Sequence, residues 1–285
     1  MIKLVTYYTK PFYASKNRLI KSAKKINIRN IKVYNDIWLR NQNFYHDNIE
    51  ILSQPRGAGY WLWKPYIILK ELKNLTEDDF LIYSDAGIEF TDKIDSLLPY
   101  VNKNNGFGLF CVHGYRNIEY TKHDCFKIMN CDEEKYWNGK KIMAGFNIFK
   151  KNNETINFVT EWLQYATNKF VITDLENVYS TNYPEFIDHR HDQSILSLLT
   201  IKYGLKSFRD PSQWGNPWKS INLRVYGEFI EVPYSSEPWD EYNYSTLINI
   251  HRERNNLNPI DKLRFYIIQK ISNAASNIGN HRWFK

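Results

Sequence analysis

The stretch from Arg56 to Glu89, RGAGYWLWKPYIILKELKNLTEDDFLIYSDAGIE, holds two groups whose types and spacing fit chemistry. Asp85 follows the apolar run Phe80 to Tyr83. A carboxylate in such a place is costly to bury unless it is paired, hydrogen-bonded or bound to a divalent ion. Lys64 precedes Pro65, which suits the first turn of a helix. A cation at that positive helix end is unfavourable unless an anion shares the site, so Lys64, Arg56 and free backbone N–H groups read either as a phosphate site or as solvated charges beside buried tryptophans. Asp192, in HRHDQS before ILSLL, stands at another helix start, where an acid caps the helix or does chemistry.

The elements that must position these groups are legible from periodicity. Ile2 to Tyr8 reads as a buried strand, Ala14 to Lys25 as a basic helix and Ile31 to Tyr34 as a second strand, the β-α-β spacing of a parallel sheet. Gly57 and Gly59 relieve the backbone before a helix that runs to about Lys73. Phe80 to Tyr83 is a third strand, so Asp85 falls at the C-terminal sheet edge where α/β folds bind ligands. Gly106 to Val112 and Lys141 to Lys150 each read as one further strand, with Tyr115 to Lys141 an excursion over the site between them. Glu154 to Asn168 and the segment after Asp192 read as helices with apolar faces.

Several polar residues at strand ends have two readings. Thr6, Tyr7, Tyr8 and Thr9 either recognise a nucleotide or pack the end of the first strand. Gly145 lets a sugar approach closely and Asn147 hydrogen-bonds hydroxyls, or the pair forms a bulge with a satisfied amide. Glu89 is a second carboxylate for the site or a surface acid.

Composition narrows the class. The 285 residues are 43% hydrophobic and 16% aromatic, enough for one large domain, 1–256, followed by a basic amphipathic helix and tail over 257–285. The net charge of +7 favours an anionic partner. Dispersed basic residues and the lack of a nucleic-acid motif argue against nucleic acid. No apolar run reaches the roughly 18 residues of a membrane span, and MIKLVTYYTK has no signal-peptide core, which reads as cytoplasmic. Peripheral contact with a membrane remains open through the amphipathic segment. Cys111, Cys125 and Cys131 have no metal-type spacing and read as reduced thiols. No glycine-rich dinucleotide or P-loop motif is present.

Four segments, GYWLWKPYII, YSDAG, AGFNIFKKN and HDQSILSLL, together resemble GT-A-type glycosyltransferases of bacterial and viral surface polysaccharides. The resemblance implies an α/β, GT-A-like, mostly parallel sheet flanked by helices, with irregular acceptor-side elements. It implies transfer of a sugar from a nucleotide-diphosphate sugar, UDP-sugar favoured, to a hydroxyl of a glycan or glycolipid. Ser84, Asp85 and Ala86 would join the donor site, and Asp192 would be catalytic with His191 and Gln193 beside the sugar or acceptor. A Mn²⁺ or Mg²⁺ would be held by Asp85 and His251, which must then converge. The sequence departs from the family's Asp-x-Asp at its last position, which is Gly87. A carbohydrate-binding protein without catalysis is the alternative that the aromatic content leaves open.

Overall fold

A computed structural model describes residues 1–215, 222–225, 228–231 and 244–251, with backbone alone at 113 and in the two short segments 222–225 and 228–231. The strands are β1 (Ile2–Tyr8), β2 (Asn30–Asn35), β3 (Phe80–Ser84), β4 (Ile88–Phe90), β5 (Phe107–Gly108), β6 (Cys111–Arg116), β7 (Lys140–Ile142), β8 (Phe146–Lys150), β9 (Asn222–Val225), β10 (Glu228–Glu231) and β11 (Ile248–Ile250). Among the described residues four helices reach eleven residues or more: α1 (Tyr13–Lys25), α2 (Trp63–Lys73), α3 (Asn153–Ala166) and α4 (Asp192–Lys202).

The central sheet has the order β2-β1-β3-β8-β5. β1 pairs in parallel with both β2 and β3, while β8 runs antiparallel to β3 and to β5, so four strands share one direction. The chain is therefore mixed α/β with a mostly parallel sheet, as its alternating pattern requires.

Strand alternation splits the core in two. Val5, Tyr7, Leu81, Tyr83 and Phe149 face a cluster built with α2, α3 and α4. Leu4, Ile82, Phe146 and Ile148 face a second cluster with Leu19 and Ala23 of α1. Helices thus cover both faces, which is why β1 and β3 read as continuous apolar runs.

Two expected strands are each broken in two. The run from Gly106 to Val112 divides into β5, in the central sheet, and β6, which leaves it to pair with β7. Likewise Lys141 to Lys150 divides at Met143-Ala144-Gly145, between β7 and β8. Both halves are apolar, so periodicity could not show the change of sheet. The excursion after β6 is built of short helices, Asn117–Tyr120, His123–Ile128 and Glu134–Trp137, and buries Cys125 and Cys131 as free thiols.

No helix among the described residues is long and apolar enough to cross a membrane. The expected amphipathic helix of 257–285 and the end of the 1–256 domain lie outside the described residues.

Candidate functional site

Asp85 follows Tyr83 by two positions at the end of β3, so both side chains leave on the same face, the one that carries α2 and α4. The Tyr83 hydroxyl donates to Asp85 Oδ1 at 2.5 Å. Burial, reinforced by the Asp85 charge, holds that phenol well above its usual range, so it stays a donor. On the other side of the carboxylate, Asp85 N–H donates to Gly145 O at 2.8 Å. A Cβ on Gly145 would meet Asp85 Oδ2 at 2.9 Å, so only a glycine leaves that oxygen its place.

Lys64 approaches from α2. Its Nζ lies 2.7 Å from Asp192 Oδ2 and 3.8 Å from Asp85 Oδ1, and its side chain is 3% exposed, against 5% for Asp192 and 42% for Asp85. The two acids therefore have different surroundings. Burial pushes the Asp192 carboxyl up to about 6, against the lowering pull of Lys64, and the charge of Asp85 adds to the rise. Asp85 is the one that reaches solvent.

A left-handed turn sets the entry to α2. Gly57, Ala58, Gly59, Tyr60 and Trp61 all have positive φ, at 59°, 51°, 96°, 51° and 60°. The turn closes through Tyr60 N–H to Arg56 O at 2.8 Å and Trp61 N–H to Gly57 O at 3.3 Å. Each non-glycine residue there costs roughly 1 to 2 kcal/mol. Strain of this kind persists only where packing over-determines it. Trp63 Nε1 donates to Gly57 O at 3.0 Å, Tyr7 stacks on Trp63 at 3.9 Å, and Trp61 stacks on His191 at 5.4 Å. The turn thereby fixes where Lys64 leaves the helix.

At the start of α4, His191 takes φ 49° and ψ −119°, and its Nδ1 contacts Ile172 O at 2.7 Å. Burial lowers its basicity to about 4, so the ring is neutral with Nδ1–H donating to the carbonyl. Trp162 Nε1 donates to Asp192 O at 3.1 Å, and Gln193 Nε2 to Ile142 O at 2.7 Å. Beneath them Lys141 Nζ donates to Tyr120 O, Thr121 Oγ1 and Ser194 Oγ at 3.0, 3.0 and 2.9 Å, using all three of its hydrogens. Burial brings Lys141 down to about 7.

Of the residues expected at the site, Lys64, Asp85, Gly145 and Asp192 come together. Asn147 lies below them on the same face, opposite Tyr83, with Nδ2 donating to Met143 O at 2.9 Å and a buried Oδ1 without a partner. Ser84 and Ala86 are buried beside Asp85, and the Ser84 hydroxyl donates to Asp85 O at 3.2 Å. Thr6 is fully buried on the opposite face, Tyr7 packs on Trp63, and Tyr8 and Thr9 are half-buried at the strand end.

Arg56 does not join Lys64. It ties Asp174 at 3.0 Å to Asp188 at 3.1 Å, because the left-handed turn directs it to the loop before α4. Glu89 is likewise taken, held by Arg18 Nε and Nη2 at 2.8 and 2.5 Å. His251 reaches the Asp85 segment through the backbone: β11 pairs antiparallel with β4, and His251 N–H donates to Gly87 O at 2.8 Å. Its imidazole is fully buried, and burial together with the charge of Arg18 lowers its basicity to about 3.

Among the described residues this donor set does not make a protein-held site for Mn²⁺ or Mg²⁺. Among the described residues no three His, Cys, Asp or Glu side chains converge where an ion could sit. The two carboxylates at the site, Asp85 and Asp192, both approach the Lys64 ammonium, at 3.8 and 2.7 Å. Mg²⁺ usually takes one or two carboxylates together with substrate phosphates and water, and the charged neighbour of Asp85 here is the Lys64 ammonium, with position 87 a glycine and Glu89 held by Arg18. Tyr83 and Lys141 were not singled out from sequence, although the i, i+2 spacing of Tyr83 and Asp85 on a strand is a readable signal.

No protein-family profile matches the chain, and no curated protein sequence matches it. Among solved structures it is similar to mouse xyloside xylosyltransferase 1 in its apo form, at TM-score 0.41 and 10% identity over 72% of this chain and 83% of that one. It is also similar to the apo structure of the bifunctional glycosyltransferase WbbM, at TM-score 0.40 and 12% identity over 70% of this chain and 37% of that one. Likeness at this level assigns no activity to the present chain.

Proposed function

We propose that this protein transfers a glycosyl group from a nucleotide-diphosphate sugar, UDP-sugar favoured, to a hydroxyl of a glycan or glycolipid. The observation that carries the reading is Asp85: a solvent-reaching carboxylate at the C-terminal edge of β3, held by Tyr83 and backed by the buried Lys64–Asp192 pair. Ordinary surface acids have no such support, and buried structural acids are not 42% exposed on their side chains. The YWLWKP, YSDAG, AGFNIFK and HDQS segments that resemble glycosyltransferases supply Lys64, Asp85, Gly145 and Asp192.

In such a transfer the bond between the anomeric carbon and the diphosphate oxygen breaks, and the electron pair leaves with the diphosphate. A bond forms from the acceptor oxygen to that carbon, and the acceptor's proton passes to a base. Asp85 is the carboxylate placed to meet substrate hydroxyls. Asp192, 3% exposed beneath it, acts as a positioning residue through Lys64.

Thermal denaturation with a panel of nucleoside diphosphates and nucleotide sugars tests the reading, since a ligand selective for the folded state raises Tm. Stabilisation by at least one nucleoside diphosphate, followed by release of that diphosphate when an acceptor glycan is added, is the expected result. Glycan binding without any nucleotide effect would instead favour a carbohydrate-binding protein.

A further inference from the structure

We infer that the donor's diphosphate is bound here without a divalent cation, because the ammonium of Lys64 holds the position between the two carboxylates. This rests on the glycosyl-transfer reading above. Lys64 is anchored at both ends: its N–H donates to Trp61 O at 2.9 Å at the close of the left-handed turn, and its Nζ is paired with Asp192 at 2.7 Å. At 2% exposure the lysine is buried. Swinging it away would leave Asp192 buried as an uncompensated charge, which proteins avoid.

An ion bound to Asp85 would therefore stand beside a fixed positive charge 3.8 Å from the same carboxylate. Repulsion between those charges is long-ranged in a partly buried site. Nor do the described residues bring a set of further ligands to offset it. Position 87 is glycine and Glu89 is bound to Arg18. What Asp85 suits instead is a hydroxyl donor. Its Oδ1 already accepts from the Tyr83 hydroxyl, and a ribose or sugar hydroxyl is a second group of the same kind.

Isothermal titration of the full chain with UDP and with GDP, each in EDTA and in Mn²⁺, tests this. The expected result is a Kd that differs by less than about threefold between the two conditions, where a metal-bridged diphosphate would lose about tenfold or more in EDTA. Binding seen only with Mn²⁺ overturns the inference and leaves glycosyl transfer standing. Absence of binding to UDP and to GDP in both conditions overturns the inference and, with it, the UDP-sugar reading on which it rests. A second arm uses Lys64→Gln and Mn²⁺ followed by electron paramagnetic resonance. Removing the ammonium takes away the positive charge beside Asp85, so this variant is expected to bind Mn²⁺ at least about tenfold more tightly than the wild type. No gain in a folded variant overturns the assignment to Lys64. Should Lys64→Gln not fold, the wild-type titration decides by itself.

Discussion

Lys64 and Asp192 form a buried ion pair, Nζ to Oδ2 at 2.7 Å, in which neither side chain is more than 5% exposed. Asp85, 3.8 Å from the same ammonium, is the member of the trio that meets solvent. The pair joins the first turn of α2 to the first turn of α4 directly under the end of β3. Breaking it by removing one partner is costly, typically 3 to 5 kcal/mol for buried pairs, because the other charge is left alone. The arrangement therefore fixes Asp85 from below.

Asp85→Asn keeps the shape and an acceptor for the Tyr83 hydroxyl but removes the charge. Sugar transfer should fall by about 10²-fold or more, the scale of losing a group that acts at the reacting centre. Tm should stay within a few degrees of wild type, since the side chain is 42% exposed. Full activity in this variant, measured by diphosphate release, would remove Asp85 from the site.

Asp192 gives a pH signature with opposite signs for stability and activity. Its carboxyl is raised from 3.8 to about 6 in the folded chain, so between those values the folded state binds more protons than the unfolded one. The Asp192 contribution to stability is present in full below pH 3.8 and is lost as pH rises through 6, a change on the order of 3 kcal/mol. Activity should move the other way, falling below pH 6 as the Lys64 pair loses its charge. Comparing urea midpoints of wild type and Asp192→Asn across pH 4 to 7 isolates this group, and parallel curves would refute the assignment.

Gly145→Ala places a Cβ 2.9 Å from Asp85 Oδ2. The atom met is the end of a side chain, so the fold should survive while the carboxylate is displaced. Transfer should drop by roughly 10² for a displacement approaching 1 Å, with little change in Tm. Unchanged kcat would show that Asp85 tolerates another rotamer.

The left-handed turn makes two opposite mutational predictions. In Gly59→Ala the new Cβ would lie 2.6 Å from the Leu52 Cα at a φ of +96°, a clash with backbone that cannot yield cheaply. A loss of about 3 kcal/mol or more is expected by chemical denaturation. Ala58→Gly, at φ 51°, relieves strain instead and should gain roughly 0.5 to 1 kcal/mol after the entropy cost of glycine.

Much of the scaffold was determined by the sequence alone. Apolar runs and helical spacing put β1, α1, β2, α2 and β3 in place, because a strand buried on both faces and a one-faced helix each leave a periodic trace. Asp85 was legible for the same reason, as a carboxylate ending such a strand. The tertiary structure decided what that carboxylate meets. Lys64 looked like a phosphate ligand at a helix start and Asp192 like a cap or a base, yet each is the other's counterion. Arg56 and Glu89 looked available and are bound to Asp188 and Arg18. His251 was expected beside Asp85, and β11 does bring its backbone to Gly87, with the imidazole buried. Charge pairing is set by distances between segments far apart in the chain, and no local pattern encodes which cation reaches which acid. Periodicity fixes the face from which a side chain leaves its element; only the packing of α2 and α4 against β3 selects its partner.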